Sequence, residues 1–490
     1  MLALRNGVSA PRGEVPQLSV DAWRAAVLDA VESGARVCAL LATPATDGAL
    51  ELSVVLARDS DARLLAARTL ADGVFPSLTP ECPQFHLFER ELAETAGVRP
   101  EGHPWLKPVR FTGRWASGMG ATDDYRVEGE EVHEVAVGPV HAGVIEPGHF
   151  RFQCHGERIL HLEISLGYQH RGVEDAFRSR AEKRRIHYAE TVAGDTSVGH
   201  ATAYCENVEA LAGLAAPPRA QAIRAVGLEL ERLANHTGDL GALAGDVGFL
   251  PTAAYCGRLR GDWLNLTAEL CGSRFGRGLV RPGGVGFDVE PARIERMIAG
   301  VDATLRDLRS SVELLWGSAS VLARFDGAGP LSEASARELG LVGLAARACG
   351  LRRDARVQHP SGMFRFVQIP LSRWRTGDVF ARAWVRWLEI ERSAAFVRQQ
   401  LASLPDGPVR SGPLGPASPD RICASLVEGW RGEICHVATS DASGALADYR
   451  IVDPSFHNWM GLALAMRGQQ ISDFPLCNKS FNLSYCGFDQ

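Results

Sequence analysis

Between Pro217 and Ala244 the apolar residues Ile223, Val226, Leu230, Leu233 and Leu240 recur at helical spacing, while arginine, glutamate and aspartate fall largely elsewhere. A helix of that length can be buried only in a domain with a sizeable apolar core. The chain has 490 residues, 46% of them hydrophobic, which supports such a core and more than one domain. Helical patterns recur over 292–312, 332–346 and 378–404. Strand character returns over 424–452, and an apolar helix is expected over 458–467. At the start of this domain, His149 to Cys154 and Arg158 to Ser165 read as two strands of a hairpin joined by His155-Gly156-Glu157.

The first 112 residues differ in character. A helix is expected over 19–30, then strands over 36–42 and 50–57 around the turn-forming Thr-Asp-Gly at 46–48. Pro76, Pro80 and Pro83 punctuate the chain before an amphipathic helix over 84–96 that Gly97 is placed to end. Residues 113–134 are rich in glycine and acidic residues with little periodicity and read as a linker. The expected architecture is therefore α+β: a small α/β domain over 1–112, the linker over 113–134, and over 135–490 a mainly helical domain with a small β-sheet.

Charge and composition exclude several functions. Fifty-two basic against 58 acidic side chains leave a net charge of −6, without a basic tract that would follow nucleic-acid phosphates. Charged residues interrupt every apolar run before it could span a bilayer, and MLALRNGVSAPRGEVP lacks the apolar segment of a secretory signal. Eleven scattered cysteines, an odd number without a CxxC pair, suit reduced thiols in the cytoplasm. No Gly-rich phosphate loop follows a strand, so any dependence on a nicotinamide nucleotide is expected to reside in another subunit.

The motifs GPVHAGVIEPGHFRF (138–152), LGYQHRGVEDAF (166–177), LELERLANHTGDLGALAGDVGF (228–249), CGSRFGRGLVRPGGV (271–285), VEGWRGEICHVATSDASG (427–444) and YRIVDPSFHNW (449–459) resemble, in order, the large subunit shared by complex I (its 49 kDa subunit) and group 4 [NiFe] hydrogenases. FPSLTP, FERELAETAGV and EGHPWLKPVRF are similar to the complex I 30 kDa subunit, so two subunits that are often separate look fused. The resemblance implies a small iron–sulfur partner that holds a [4Fe-4S] cluster. It also implies antiporter-like membrane subunits that move ions, and a location on the cytoplasmic face of the membrane.

Carried over residue by residue, the resemblance implies a changed active site. The family motif E-R-V-C-G-x-C-S-x-x-H falls on Glu190 to His200, where Ala193 and Thr196 stand at the two thiolate positions. The second motif, D-P-C-x-x-C, falls on residues 482–487, with Ser484 and Gly487 at the ligand positions and Cys486 one residue out of register. Nickel and low-spin iron need soft thiolate donors, so an active nickel hydrogenase is not expected. In complex I a histidine and a tyrosine bind the quinone head group in this space. His141 matches the histidine, the tyrosine position falls on Gly194, and Tyr188 and Tyr485 are candidates to project a hydroxyl there.

Each candidate has two readings. His141 is a quinone ligand or a buried structural histidine. Glu174, matched to a carboxylate near the hydrogenase metal, is a proton relay or the partner of a neighbouring arginine. His170 and His200 are expected to orient the fold. Glu229, Glu231, Arg232, His236, Asp239 and Asp246 form a charge series that is either a solvated face or, by the resemblance, partly paired inside the bundle. Glu89, Arg90 and Glu91 suggest inter-subunit ion pairs, His103 a turn, and Asp473 with Lys479 an ion pair in the structural place of the metal. The leading expectation is an oxidoreductase subunit of the NADH:quinone type, passing electrons from the iron–sulfur partner and coupled to ion movement, with quinone as a possible cofactor. The alternative is a non-catalytic scaffold.

Overall fold

In the computed structural model the described residues are 1–45, 48–112, 124–141, 145–179 and 182–490. Part of the expected turn at 46–48 and half of the expected linker, 113–123, lie outside them.

The N-terminal part is a five-stranded sheet in which Leu2–Leu4, Arg63–Ala71, Leu50–Arg58 and Arg36–Pro44 run antiparallel in that order, with Gln17–Leu18 parallel to Arg63–Ala71. The strand Arg63–Ala71 goes beyond the sequence expectation, because its RLLAARTLA stretch lacks clean alternation. Helix Val20–Glu32 is capped by Ser19, whose hydroxyl accepts from the Ala22 amide, and it buries Trp23 and Val27. Helix His86–Thr95 follows a 3-10 turn at Pro83–Phe85, and Gly97 adopts the positive φ of 75° beyond its end.

The second part opens with strand Val132–Val137, paired in register with His149–His155, which in turn pairs with Arg158–Ser165. The expected linker thus ends earlier than residue 134, because backbone pairing orders a polar, exposed edge strand that composition reads as loop. Four long helices follow. Pro218–Asp246 packs against Leu250–Cys271 and Val379–Ala402, and Pro291–Trp316 packs against both of these. A Cβ on Gly241 would come within 2.7 Å of the Cys256 Cβ, so this glycine sets the close approach of the first two helices. The expected helix over 332–346 is two short ones, Glu333–Glu338 and Gly343–Ala348. Gly343, at φ 63°, lies so close to Gly432 that a Cβ would stand 2.1 Å from the Gly432 Cα.

A third sheet joins the two parts. Leu446–Val452, Glu433–Ser440 and Arg421–Glu428 run antiparallel, and Ala10–Pro11 from the N-terminal part adds to the Arg421 end. Every residue of Glu433–Ser440 is buried. A buried ion pair between Arg36 and Glu433 ties the first sheet to this one. One apolar cluster runs from Leu4 through Phe88 and Phe150 to Phe488, and a second fills the helical bundle. Among the described residues no helix is long and apolar enough to cross a membrane.

Candidate functional site

The segment 190–196 leads into helix Ser197–Ala212, and the first amides of that helix are taken by Glu231 of the long helix, which accepts from Val198 at 2.7 Å and Gly199 at 3.2 Å. Burial pushes the Glu231 carboxyl up to about 8 against the pull of those two amides. The segment 482–490 closes the chain beside it. Arg431 ties the two together: its guanidinium donates to both Asp195 carboxylate oxygens at 2.6 and 2.8 Å, its Nε donates to the Asn482 carbonyl at 2.6 Å, and it lies 3.9 Å over the Trp430 ring. Arg171 makes a second tie, donating to the carbonyls of Thr191, Val192 and Cys486 at 2.7, 2.8 and 3.1 Å.

The four positions matched to metal ligands are brought to this junction, and each is already satisfied. Ala193 is fully buried. The Thr196 hydroxyl donates to Asp195 at 3.1 Å and accepts from the Trp430 indole at 3.1 Å. The Ser484 hydroxyl accepts from the Gly487 amide at 2.9 Å. A Cβ on Gly487 would stand 2.7 Å from the Asp453 carboxylate, so Asp453 fills the space that a side chain there would need. Asp453 itself accepts from His200 Nε2 at 3.1 Å; His200 and His436 share a 3.0 Å bond, and His436 bonds the Tyr449 hydroxyl at 2.7 Å. A carboxylate only accepts, so the His200 Nε2 proton points toward Asp453. His200 is expected to orient the fold, and Asp453 lies in the matched motif 449–459, but nothing in the sequence pairs the two, which are about 250 positions apart.

Gly194 faces open space, with nothing within 4 Å of a Cβ built there. His141 Nε2 donates to the Gly148 carbonyl at 2.9 Å, and its ring lies 5.7 Å from Phe150. Tyr485 packs on Trp459 at 5.0 Å and on Phe150 at 6.4 Å, so it and His141 meet around one aromatic cluster. Tyr188 packs instead near Phe177, at 6.5 Å. His170 takes its expected orienting role through Nδ1, which donates to the Asp489 carbonyl at 2.7 Å.

Glu174 is the partner of an arginine, the second of its two readings. It pairs with Arg450 at 3.2 Å and accepts from the Ile451 amide at 2.8 Å. Burial nevertheless raises its carboxyl above the usual range, Arg450 opposes this, and the nearby Glu91 adds to it. Glu91 shares Arg450 and also pairs with Arg110, while Glu89 accepts from Ser77, Leu78 and Thr79, and Arg90 donates to the Lys107 and Pro108 carbonyls. These three helix residues are buried and satisfied within the chain, which corrects the expectation of inter-subunit pairs. A cavity of about 670 Å³ between the two parts is lined by Glu91, Glu174, Arg178 and Arg450. His103 holds its turn through Nδ1, which accepts from the Trp105 amide. Asp473 pairs with Arg324 at 3.3 Å rather than with Lys479.

Apart from the exposed Asp246 at its end, the charge series on the long helix is not a solvated face. Glu229, Arg232 and His236 are fully buried in a lattice with Arg347, Asp354, Arg356, Glu389 and Glu428 from four other elements and the loop before one of them. Asp239 pairs with Arg386 at 2.6 Å. Single-sequence periodicity misses this because the partners lie more than 100 residues downstream, on or beside Gly343–Ala348, Ala355–Gln358, Val379–Ala402 and Arg421–Glu428.

Sequence comparisons agree with this architecture. The profile of the respiratory-chain NADH dehydrogenase 49 kDa subunit matches residues 246–414, and that of the 30 kDa subunit matches residues 22–131. A carbon monoxide-induced hydrogenase of Rhodospirillum rubrum is 31% identical over 71% of this chain and 97% of its own length. The hydrogenase-4 component G of Escherichia coli is 29% identical over 85% of this chain and 76% of its own. An NADH-quinone oxidoreductase component of Solibacter usitatus is 29% identical over 65% of this chain and 86% of its own.

Proposed function

Since the chain belongs to the family of complex I 49 kDa subunits and related hydrogenase large subunits, fused to a 30 kDa-type domain, we propose that it is the acceptor-side subunit of its complex and works without nickel. Electrons arrive from an iron–sulfur partner and pass to a small acceptor of the quinone type at the junction of 190–196 and 482–487. The complex lies on the inner face of the membrane, and its membrane subunits move ions.

The residues at the four ligand positions do not fit nickel. Ala193 and Gly487 carry no donor atom, and the hydroxyls of Thr196 and Ser484 are hard oxygens engaged in local bonds. The observation that carries the acceptor reading is the pair of arginine ties. Arg171 and Arg431 bond backbone carbonyls and Asp195, so the pocket walls stand without a metal, and the open side at Gly194 gives a small molecule an approach. The engaged hydroxyls and the filled space at Gly487 favour a second reading, a scaffold whose pocket has closed.

The two separate in one assay, reduction of a short-chain quinone by the purified complex fed through its iron–sulfur subunit. The acceptor reading expects turnover that falls at least tenfold in His141→Ala and in Arg431→Lys. Absence of turnover in a complex whose iron–sulfur clusters are reduced would leave the scaffold.

A further inference from the structure

The buried lattice has an unbalanced set of charges. Glu389 accepts from Arg347 at 2.6 Å, from His236 Nε2 at 2.8 Å and from Arg232 at 3.3 Å. Glu229 lies between Arg232 at 3.1 Å and Arg356 at 3.0 Å, Asp354 meets Arg356 at 2.7 Å, and Glu428 meets Arg347 at 2.6 Å. Four carboxylates therefore face three guanidiniums and one imidazole, all with side chains no more than 2% exposed. The flanking charges cancel among themselves: Arg386 with Asp239, Arg224 with Glu209, and Arg36 and Arg353 with Asp59 and Glu433. The half-buried Arg392 turns away to the Pro370 carbonyl and the Ser372 hydroxyl. A lone net charge in such surroundings costs several kcal/mol. Counted over its directly bonded members, the lattice is neutral when it holds one proton beyond those on its arginines.

Two places can carry it, at opposite ends. Glu428 borders a cavity of about 150 Å³ that also touches Glu206, Ser361 and Arg356 and has an exposed rim at Arg365. His236 lies one ring behind the pocket: it meets Trp430 edge-on at 6.1 Å, and the Trp430 indole donates to the Asp195 carbonyl and the Thr196 hydroxyl. His236 Nδ1 is buried and has no hydrogen-bond partner among the described residues.

We propose that this lattice is a single-proton exchanger, in which uptake of a proton at Glu428 from the cavity expels one from His236 toward the pocket, and the reverse. The balance is electroneutral: imidazolium and carboxylate, plus a proton from the cavity, become imidazole and carboxylic acid, plus a proton on the pocket side. No proton needs to hop through an arginine, because the coupling is the shared field of Arg347 and Glu389. The directions of titration agree. Burial pushes Glu428 up to about 7, with Asp354 adding and Arg347, Arg356 and Arg232 opposing. Burial lowers His236, with Arg386 and Arg232 adding and Glu389 opposing. The pocket end rests on the acceptor reading above; the proton count does not.

Infrared titration of the full chain in its complex tests it, with 13C-glutamate to assign the carboxylic C=O stretch. One band is expected to titrate near neutral pH and to vanish in Glu428→Gln. In His236→Lys a permanent cation replaces the exchangeable one, and the Glu428 midpoint is expected to fall by roughly one pH unit or more. Asp354→Asn removes a neighbouring carboxylate and serves the same purpose if the lysine variant does not fold. A band unaffected by Glu428→Gln, or a midpoint that stays put in the folded charge variant, overturns the proposal. Both results stand whether or not any quinone is reduced, so they are separable from the acceptor reading.

Discussion

The proposed acceptor junction and the lattice lie on either side of Trp430 and are built differently. Around the junction, Arg171 bonds three backbone carbonyls, Arg431 bonds one carbonyl and the partly exposed Asp195 carboxylate, and the four ligand-matched side chains are small. In the lattice, charges bond charges, and Glu389 alone is shared by Arg232, Arg347 and His236. A carbonyl stays in place whatever side chain its residue carries. A pocket framed that way can lose its ligand residues and keep its walls, whereas a lattice of paired charges cannot lose one member without stranding another.

This contrast orders the expected effects. Arg347→Ala leaves Glu428 without its bonded cation and takes one of three partners from Glu389 in a fully buried site, and is expected to cost roughly 3–5 kcal/mol, read as loss of soluble protein or a large fall in the denaturation midpoint. Arg431→Ala, on the pocket side, leaves the partly exposed Asp195 able to reach water and is expected to cost less, about 1–3 kcal/mol by the same measurement. An equal or larger loss for Arg431→Ala would break the comparison. Gly487→Ala forces a methyl against Asp453 and is expected to destabilise by about 1–3 kcal/mol; a neutral result would mean that Asp453 yields easily and that the ligand position is still open.

Glu231 sharpens the comparison through pH. Its folded-state carboxyl is raised to about 8, so the folded chain holds the proton more tightly than the unfolded one. Its stability contribution is unaffected below the ordinary carboxylate range and is lost as pH rises from there to about 8. Chemical denaturation across that window is expected to show the decline in the native sequence and a shallower one in Glu231→Gln. The smallest effect belongs to Lys479→Ala: with Asp473 bonded to Arg324, thermal stability is expected to stay within about 0.5 kcal/mol of the parent.

Local chemistry is legible in the sequence, and long-range pairing is not. Ser19 and Gly97 mark helix ends because capping acts within a few residues, and the hairpin around Gly156 follows from alternation and a turn. The break at Gly343 escapes a reading of periodicity because that glycine packs on Gly432, about 90 positions away. The ligand-matched positions can be found because their motifs are contiguous. Asp453, Arg171 and several lattice residues also lie in matched motifs, but their bonding cannot be read there, since each acts on residues brought to it by the whole fold. The helix residues Glu89, Arg90 and Glu91 show the limit most plainly: facing three ways on a helix suggests a docking surface, yet all three are buried within the chain.

The central claim is that the subunit keeps the pocket walls of its family and works without nickel. Metal quantification of the large subunit, taken from the complex isolated from its native source, tests this most directly. The account predicts far less than one nickel per chain in a preparation whose iron–sulfur partner carries its full complement of iron. One nickel per chain would contradict it.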